Sequence, residues 1–109
     1  MKKSFYESLL NSVKDPILVA DTNHIVRYMN KAAIAHYSEG EKLLKTNLLK
    51  CHNEESQKMM IEVLDEMQNE LEEKLITDNE KHRIFMRAVR DDSGKLIGYF
   101  EGYEPPQNK

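Results

Sequence analysis

The feature that most constrains this chain is a long helix with a single apolar face. Counted from Met60, its apolar residues lie at offsets of three, four, seven and eleven positions, which is the spacing of one helical stripe: Met60, Val63, Leu64, Met67 and Leu71. Asn53 is a suitable N-cap, and Glu54 and Glu55 place negative charge in the first turn, where the helix dipole favours it. The pattern predicts a helix from about Glu54 to about Asn69 that buries one face.

A second amphipathic helix is predicted near the start of the chain. Ser4 and Glu7 form a capping-box pattern, and an apolar stripe follows at Phe5, Leu9, Leu10 and Val13. The helix should cover residues 4–13, because Pro16 cannot continue it. Residues 1–14 have no obvious place in the central fold, so we expect this segment to be a dimerisation helix that packs against a second copy of the chain.

Five further segments have the features of β-strands. Residues 16–21 and 25–29 flank a polar turn and predict a hairpin. Asn30 should cap a short helix that runs through Tyr37 and ends at Gly40. After the long helix, strands are predicted at 71–77, 82–90 and 95–103, with a hairpin loop at Asp91–Gly94. This order predicts an α+β domain over residues 15–104, an antiparallel five-stranded sheet with helices over one face, and a tail at 105–109.

Composition narrows the class of protein. The chain has 109 residues, of which 39% are hydrophobic and 32% charged, as expected for a single globular domain. Its net charge is -3 and its basic residues are scattered, which argues against a nucleic-acid binder. Neither a membrane-spanning run nor a signal peptide is apparent. A single cysteine excludes an internal disulfide and is consistent with a cytoplasmic protein.

Several segments resemble those of PAS sensor domains. In Pro16–Asp21 an acidic residue closes the first strand, and in Ile25–Ala32 an asparagine is followed two positions later by alanine. The segment from Asp91 to Tyr99 resembles the closing hairpin of the family. The resemblance extends from about Phe5 to Tyr103. It implies a PAS fold, with a ligand cavity between the helices and the sheet.

A shorter segment resembles a PAS subgroup that binds haem b. In that subgroup a His-Pro-Pro-Lys-Ser-type motif precedes the long helix, and its histidine is linked to haem ligation. His52 and Ser56 match this motif, whereas Asn53, Glu54 and Glu55 replace its middle. The Gly-Arg-Asn-Cys-type run of the flavin-binding LOV branch is absent from the sequence, so a photoactive flavin thiol at the cysteine is not expected.

The resemblance implies that His52 is an axial ligand of haem iron. An axial imidazole must be neutral and face a dry cavity, and a position just outside a helix N-terminus disfavours imidazolium. The expected apolar walls are Leu48, Leu49, Met60, Val63, Leu64, Ile76, Ile84 and Met86. Gly98 and Gly102 could leave room on the sheet side. The alternative is that His52 is a polar residue that forms a local hydrogen bond.

Cys51 and the methionines each have two interpretations. Cys51 could be a redox-active thiol or an axial thiolate, but a buried and inert cysteine is favoured. Five methionines could form a deformable cavity wall, although ordinary core packing is favoured: Met29, Met59, Met60, Met67 and Met86.

The other histidines and three arginines are weaker candidates. His24, His36 and His82 are expected at exposed positions, and His36 is the best alternative axial ligand because its helix should border the cavity. Arg83, Arg87 and Arg90 could contact haem propionates. The favoured alternative for these arginines is a solvated sheet face, paired with Glu70, Glu72 and Glu73.

These observations lead to three hypotheses about function. The first is a haem-binding sensor that responds to redox state or a diatomic gas and signals to an effector protein as a homodimer. The second is a cofactor-free interaction module, and the third is a sensor of a small organic ligand. An enzyme is not expected, because the sequence contains no catalytic or phosphate-binding motif.

Overall fold

The computed structural model describes residues 4–106, and its centre is a sheet of five antiparallel strands. The strands are β1 (Ile17–Asp21), β2 (Val26–Met29), β3 (Glu73–Asp78), β4 (Arg83–Arg90) and β5 (Leu96–Glu104). Their order across the sheet is β2-β1-β5-β4-β3, so β5, the last strand in sequence, lies in the middle. The predicted α+β fold with a five-stranded antiparallel sheet is confirmed.

Within residues 4–106, three helices and two short 3₁₀ turns accompany the sheet. The helices are α1 (Phe5–Ser12), α2 (Lys31–His36) and α3 (Glu54–Gln68), and the 3₁₀ turns are Gly40–Leu43 and Leu48–Cys51. The predicted N-caps are confirmed at Ser4, Asn30 and Asn53, each of which accepts a hydrogen bond from the backbone of the first turn. Within residues 4–106, no helix is long and apolar enough to cross a membrane.

Two predicted boundaries are wrong, for local backbone reasons. Helix α2 ends at His36, and Gly40, with a φ of 54°, begins the first 3₁₀ turn instead of ending the helix. Strand β3 begins at Glu73 and not at Leu71. Glu70 has a φ of 82°, and the Leu71 amide donates to the Glu66 carbonyl, so these two residues terminate α3.

The core lies between α3 and one face of the sheet, here called the inner face. The apolar stripe of α3 is buried as predicted, at Met60, Val63, Leu64 and Met67. Strand β4 alternates as expected, since Met86 is fully buried and Arg87 is exposed. The rest of the buried apolar cluster comes from the other elements: Leu18, Ala20, Val26, Met29, Ala33, Leu43, Leu48, Leu96 and Tyr99.

Helix α1 is held mainly at its C-terminal end and is largely exposed. Asn30 Nδ2 donates to the carbonyls of Leu10 and Val13, and the Tyr28 hydroxyl donates to Asn11 Oδ1. None of the helix residues is buried. The predicted division of the chain after residues 14 and 104 stays a prediction. Residues 1–3 of the expected N-terminal helix unit and residues 107–109 of the expected tail lie outside the described residues.

The segment before α3 is attached to the free edge of β2. The Val26 amide donates to the Thr46 carbonyl, and the Lys45 amide donates to the Val26 carbonyl. Next to them, the Leu48 amide donates to the His24 carbonyl at 2.7 Å. These bonds place the 3₁₀ turn Leu48–Cys51 beside the sheet, and His52 follows it directly.

Candidate functional site

His52 lies between two capped turns. Asn47 caps the 3₁₀ turn before it and Asn53 caps α3 after it, so the backbone on both sides of His52 is constrained. The side chain of Gln57 adds a 2.8 Å hydrogen bond to the His52 carbonyl. Sequence reasoning found the Asn53 cap but not the Asn47 cap, although Asn47 precedes a leucine pair as an N-cap would.

The imidazole of His52 is half-buried and has one partner in the part of the chain that the structure describes. Its Nδ1 lies 3.0 Å from the Leu48 carbonyl, so Nδ1 carries the proton and donates it. This tautomer leaves the Nε2 lone pair available to a ligand. A backbone carbonyl on the other ring nitrogen is also the usual way in which a metal-binding histidine is oriented. The local hydrogen bond and the ligand role are therefore compatible.

A cavity of about 260 Å³ lies between α3 and the inner face of the sheet, and His52 lines it. The residues around it come from the segment after α2, both 3₁₀ turns, the start and middle of α3 and strands β3, β4 and β5, with His52 between the second 3₁₀ turn and α3: Tyr37, Glu39, Leu43, Leu48, Cys51, His52, Ser56, Met59, Met60, Ile76, Thr77, Ile84, Glu101 and Tyr103. The wall of the cavity is therefore partly apolar and partly polar.

The predicted wall residues divide into two groups. His52, Leu48, Met60, Ile76 and Ile84 line the cavity. The other four do not: Leu49, Val63, Leu64 and Met86. Val63, Leu64 and Met86 are packed within the core, and Leu49 packs against it. These four residues pack in or against the core, because the spacing of apolar residues in a sequence does not distinguish core packing from cavity lining.

The two glycines expected to leave room on the sheet side do not do so. A Cβ added to Gly98 would lie 2.4 Å from the Ala20 carbonyl oxygen, so this glycine permits the close approach of β5 to β1. Gly102 lies under the ring of Phe100 and lines a groove on the outer face of the sheet. This expectation was wrong because both glycines face away from the cavity.

The most unusual group in the cavity is the carboxyl of Glu101. Glu101 lies on β5, between Leu18 of β1 and Met86 of β4, and is only 5% exposed. Its Oε2 atom is buried and has no hydrogen-bond partner among the described residues. Burial raises the pKa of this carboxyl, and the neighbouring His52 ring and Tyr37 hydroxyl offset this effect in part. Sequence analysis did not single out Glu101, although an acidic residue between apolar strand positions is a recognisable signal.

Two tyrosine hydroxyls lie beside this carboxyl. The hydroxyl oxygens of Tyr37 and Tyr103 are 2.8 Å apart. Burial, together with the charge of Glu101, raises the pKa of Tyr37, and burial raises that of Tyr103. Both hydroxyls therefore stay protonated at neutral pH and can donate as well as accept hydrogen bonds.

The other histidines occupy different environments. His24, expected to be exposed, is 7% exposed, and its Nδ1 is 2.8 Å from the Tyr99 hydroxyl. That expectation was wrong because the turn folds back onto β5, and burial lowers the His24 pKa. His36 is exposed as expected, and its ring packs edge-on against Tyr103. His82 is half-buried, with its ring centroid 6.1 Å from that of His36, and neither ring lines the cavity.

Cys51 is neither buried nor activated. Its side chain is exposed at the margin of the cavity, which contradicts the favoured expectation of a buried thiol. Partial burial and the charge of Glu39 raise the pKa of the thiol, so the thiolate needed for redox chemistry is disfavoured. The thiol is not activated by the start of α3, because Cys51 ends a 3₁₀ turn and lies outside the first turn of that helix.

The three arginines of β4 have partners away from the cavity. Arg87 pairs with Glu73, and Arg90 pairs with Glu72 at 2.6 Å. Arg83 lies near Asp78 and Glu104. The favoured interpretation of a solvated face paired with Glu70, Glu72 and Glu73 is correct only in part, because Arg87 and Arg90 pair with Glu73 and Glu72, whereas Arg83 lies near Asp78 and Glu104, and the side chains of Arg83 and Arg90 are mostly buried. Across residues 4–106, no group of three or more His, Cys, Asp or Glu side chains could hold a metal ion.

Comparison with known families agrees with this architecture. The sequence profile of the PAS fold matches residues 4–100, which is most of the chain. A comparison with curated proteins found no match.

Solved structures with the same fold come from several bacterial proteins. The C-terminal domain of a Streptococcus mutans protein superposes with a TM-score of 0.77 at 17% identity, over 92% of this chain and 81% of that one. A sensory box sensor histidine kinase from Vibrio cholerae gives 0.67 at 10% identity, over 95% and 90%. The Aer2 receptor from Vibrio cholerae, described as a dual PAS-heme oxygen sensor, gives 0.62 at 16% identity, over 85% and 95%. At these identities the likeness establishes the fold alone.

Proposed function

The chain belongs to the PAS family, and from this premise we propose that it is a sensor domain whose inner cavity binds a small organic ligand. The observation that carries the proposal is the buried Glu101 carboxyl, which presents an oxygen without a partner in a cavity of about 260 Å³. Such an unpaired buried group costs about 1–3 kcal/mol, and a ligand that donates a hydrogen bond to it would remove that cost. The proposed role is binding and not catalysis.

The position of the cavity supports a signalling role. Glu101 and Tyr103 belong to the central strand β5, while His52 and Ser56 belong to the region where α3 begins. A ligand that contacts both would stabilise one arrangement of α3 against the sheet and shift the population toward it. We propose that an effector protein reads this change, and a sensor histidine kinase, as in one structural neighbour, is one such effector.

We also propose that the sensor forms a homodimer through α1. Phe5 is 77% exposed, Tyr6 74% and Leu9 53%, which is unusual for three large apolar or aromatic residues on one short helix. The outer face of the sheet next to the end of this helix holds a groove of about 240 Å³, whose apolar lining includes Ile17, Phe85 and Phe100 and whose charged lining residues are Asp15, Glu73, Arg87 and Glu104. A second copy that covers both surfaces would bury them from water.

A second candidate function is haem-based sensing of redox state or a diatomic gas. The observation that favours it is the His52 ring, whose Nδ1 donates to the Leu48 carbonyl and whose Nε2 is left for an axial bond. The apolar part of the wall, with Leu48, Met60 and Ile84, also suits a porphyrin face.

The rest of the cavity fits haem poorly. Its volume of about 260 Å³ is below the range of about 300–1,000 Å³ for drug-sized ligands, so a porphyrin requires the walls to move apart. No lysine or arginine is among the described lining residues, so haem propionates would find no cationic partner there. Glu101 and Glu39 would instead repel them. The organic ligand is therefore the first candidate.

A haemin titration separates the two candidates. We expect no stoichiometric Soret band for the wild-type protein, in either the ferric or the ferrous state. A stoichiometric band that shifts with carbon monoxide, disappears in His52→Ala and persists in the control variant His36→Ala would establish the haem sensor and overturn the organic ligand.

The organic-ligand proposal is tested with a ligand-observed NMR screen of small cationic, neutral and anionic compounds. We expect compounds that bind the wild type and are excluded by Ser56→Leu, which fills the cavity from the first turn of α3. Lys58→Leu, an exposed position on the same helix, is the control and should bind normally. The proposal is wrong if no compound distinguishes Ser56→Leu from the wild type.

A further inference from the structure

We propose that the ligand of this cavity is a compact organic cation, with an ammonium group held by Glu101 and a small apolar body. This inference rests on the proposed function, because it names the chemical class of ligand for the same site. It follows from the charge, the aromatic side chains and the size of the cavity.

The charges around the cavity favour a cation. Glu101 and Glu39 are the acidic side chains in the wall, His52 is its titratable base, and among the described lining residues there is no lysine or arginine. The Oε2 atom of Glu101 has no donor of its own. An ammonium N–H would form a charge-assisted hydrogen bond with it, which is stronger than one from a neutral donor. An anionic ligand would have to approach two carboxyls without a lysine or arginine to balance its charge.

Two tyrosine hydroxyls support the same conclusion. Tyr37 and Tyr103 line the cavity beside Glu101, with their hydroxyl oxygens 2.8 Å apart. Each hydroxyl oxygen has a lone pair that can accept a hydrogen bond from a second ammonium N–H. A carboxylate flanked by two tyrosines therefore offers an ammonium group several favourable contacts.

The size of the cavity limits the apolar body. At about 260 Å³ the cavity is larger than a site of about 150 Å³ that accepts benzene and smaller than most pockets for drug-sized molecules. A molecule with a single ring and a short chain has a volume that fits a cavity of this size. Leu48, Met60, Ile76 and Ile84 supply the apolar wall for it.

The class is tested with three probes of similar shape and different charge: phenethylamine, phenethyl alcohol and phenylacetate. Each is titrated at pH 7 into ¹⁵N-labelled protein, and amide chemical shifts are followed. We expect phenethylamine to bind about tenfold more tightly than the alcohol, with phenylacetate the weakest. The largest shifts should map to β5 and the start of α3.

A pair of variants tests the role of Glu101. In Glu101→Gln the preference for phenethylamine over phenethyl alcohol should fall to about twofold or less, because the amide keeps the shape and loses the charge. Glu62→Gln, on the exposed side of α3, should keep the wild-type preference. An unchanged amide spectrum outside the cavity would show that each variant is folded.

The outcomes separate the ligand class from the proposed function. If phenethyl alcohol or phenylacetate binds at the cavity as tightly as phenethylamine, the cation proposal is wrong and the small-ligand sensor stands. If the amine binds more tightly but Glu101→Gln keeps the preference, the role of Glu101 is wrong. If no probe shifts the cavity residues, and the Ser56→Leu screen finds no ligand, both proposals are wrong.

Discussion

Asn30 shows how one side chain joins several elements. Its Oδ1 accepts from the amides of Ile17 and Ala33, and its Nδ2 donates toward the carbonyls of Leu10, Val13 and Asp15 at 3.1–3.3 Å. The residue is fully buried. We expect Asn30→Ala to lower the unfolding free energy by about 3–5 kcal/mol, because several buried groups lose their partner at once. Urea denaturation measures this change.

Asn53→Ala is the matched control for Asn30→Ala. Asn53 is an exposed N-cap with one bond, to the Ser56 amide at 2.8 Å. Its replacement should cost only about 1 kcal/mol. Equal losses for the two variants would show that Asn30 acts only as a helix cap.

Glu101 should make stability depend on pH in a direction opposite to that of a salt-bridged carboxylate. A glutamate in the unfolded chain has a pKa of about 4.3, and burial raises the pKa of Glu101 in the folded state. The folded protein therefore binds the proton more tightly than the unfolded chain does. As a result, the contribution of Glu101 to the unfolding free energy falls as the pH rises from about 4.3 through the pKa of Glu101 in the folded protein. Glu101→Gln should be more stable than the wild type at pH 7 by at least about 1 kcal/mol.

Urea denaturation of both proteins from pH 4 to pH 8 checks this dependence. The advantage of Glu101→Gln should shrink toward pH 4, where the wild-type carboxyl is mostly protonated in both states. Glu62→Gln should show no comparable trend. A wild-type protein that gains stability relative to Glu101→Gln as pH rises would contradict the buried, unpaired carboxyl.

At the scale of elements, the contact between β1 and β5 depends on Gly98. A Cβ at this position would lie 2.4 Å from the Ala20 carbonyl oxygen, which belongs to backbone and cannot rotate away. We expect Gly98→Ala to cost about 2–4 kcal/mol in unfolding free energy, because the two strands must separate. Thermal or urea unfolding, followed by circular dichroism, gives the value.

Gly94 provides the comparison for Gly98. It lies in the β4–β5 hairpin loop with a φ of 89°, and an added Cβ would meet no atom within 4 Å. Gly94→Ala should therefore cost only the conformational strain, about 1–2 kcal/mol. If Gly98→Ala is the milder of the two, the close approach of β1 and β5 is not limiting.

At the scale of the whole molecule, the exposed face of α1 predicts self-association. Leu9 is 53% exposed on this helix, and Ile61 is 50% exposed on α3. We expect the wild type to be a dimer and Leu9→Asp to be a monomer, because a buried carboxylate would have no partner at the interface. Light scattering after size-exclusion chromatography measures the mass. Ile61→Asp should stay dimeric, and a wild type that is monomeric at all concentrations would refute the α1 dimer.

The elements of this fold could be predicted from local pattern. The stripe from Met60 to Met67, the caps at Ser4, Asn30 and Asn53, and the alternation of β4 each depend on residues a few positions apart. Such short-range preferences are properties of the chain segment itself. The errors occurred where backbone conformation at a single residue ended an element, as at Glu70.

The candidate site depended on contacts between distant parts of the chain. His52 was visible in the sequence, but its neighbours Glu101, Tyr37 and Tyr103 come from β5 and from the residue that caps the end of α2, which pattern alone does not bring together. The burial of Glu101 exists only because β5 inserts between β1 and β4. Periodicity identifies an apolar face, whereas the strand order and the packing of α3 determine which side chains pack into the core and which surround a cavity.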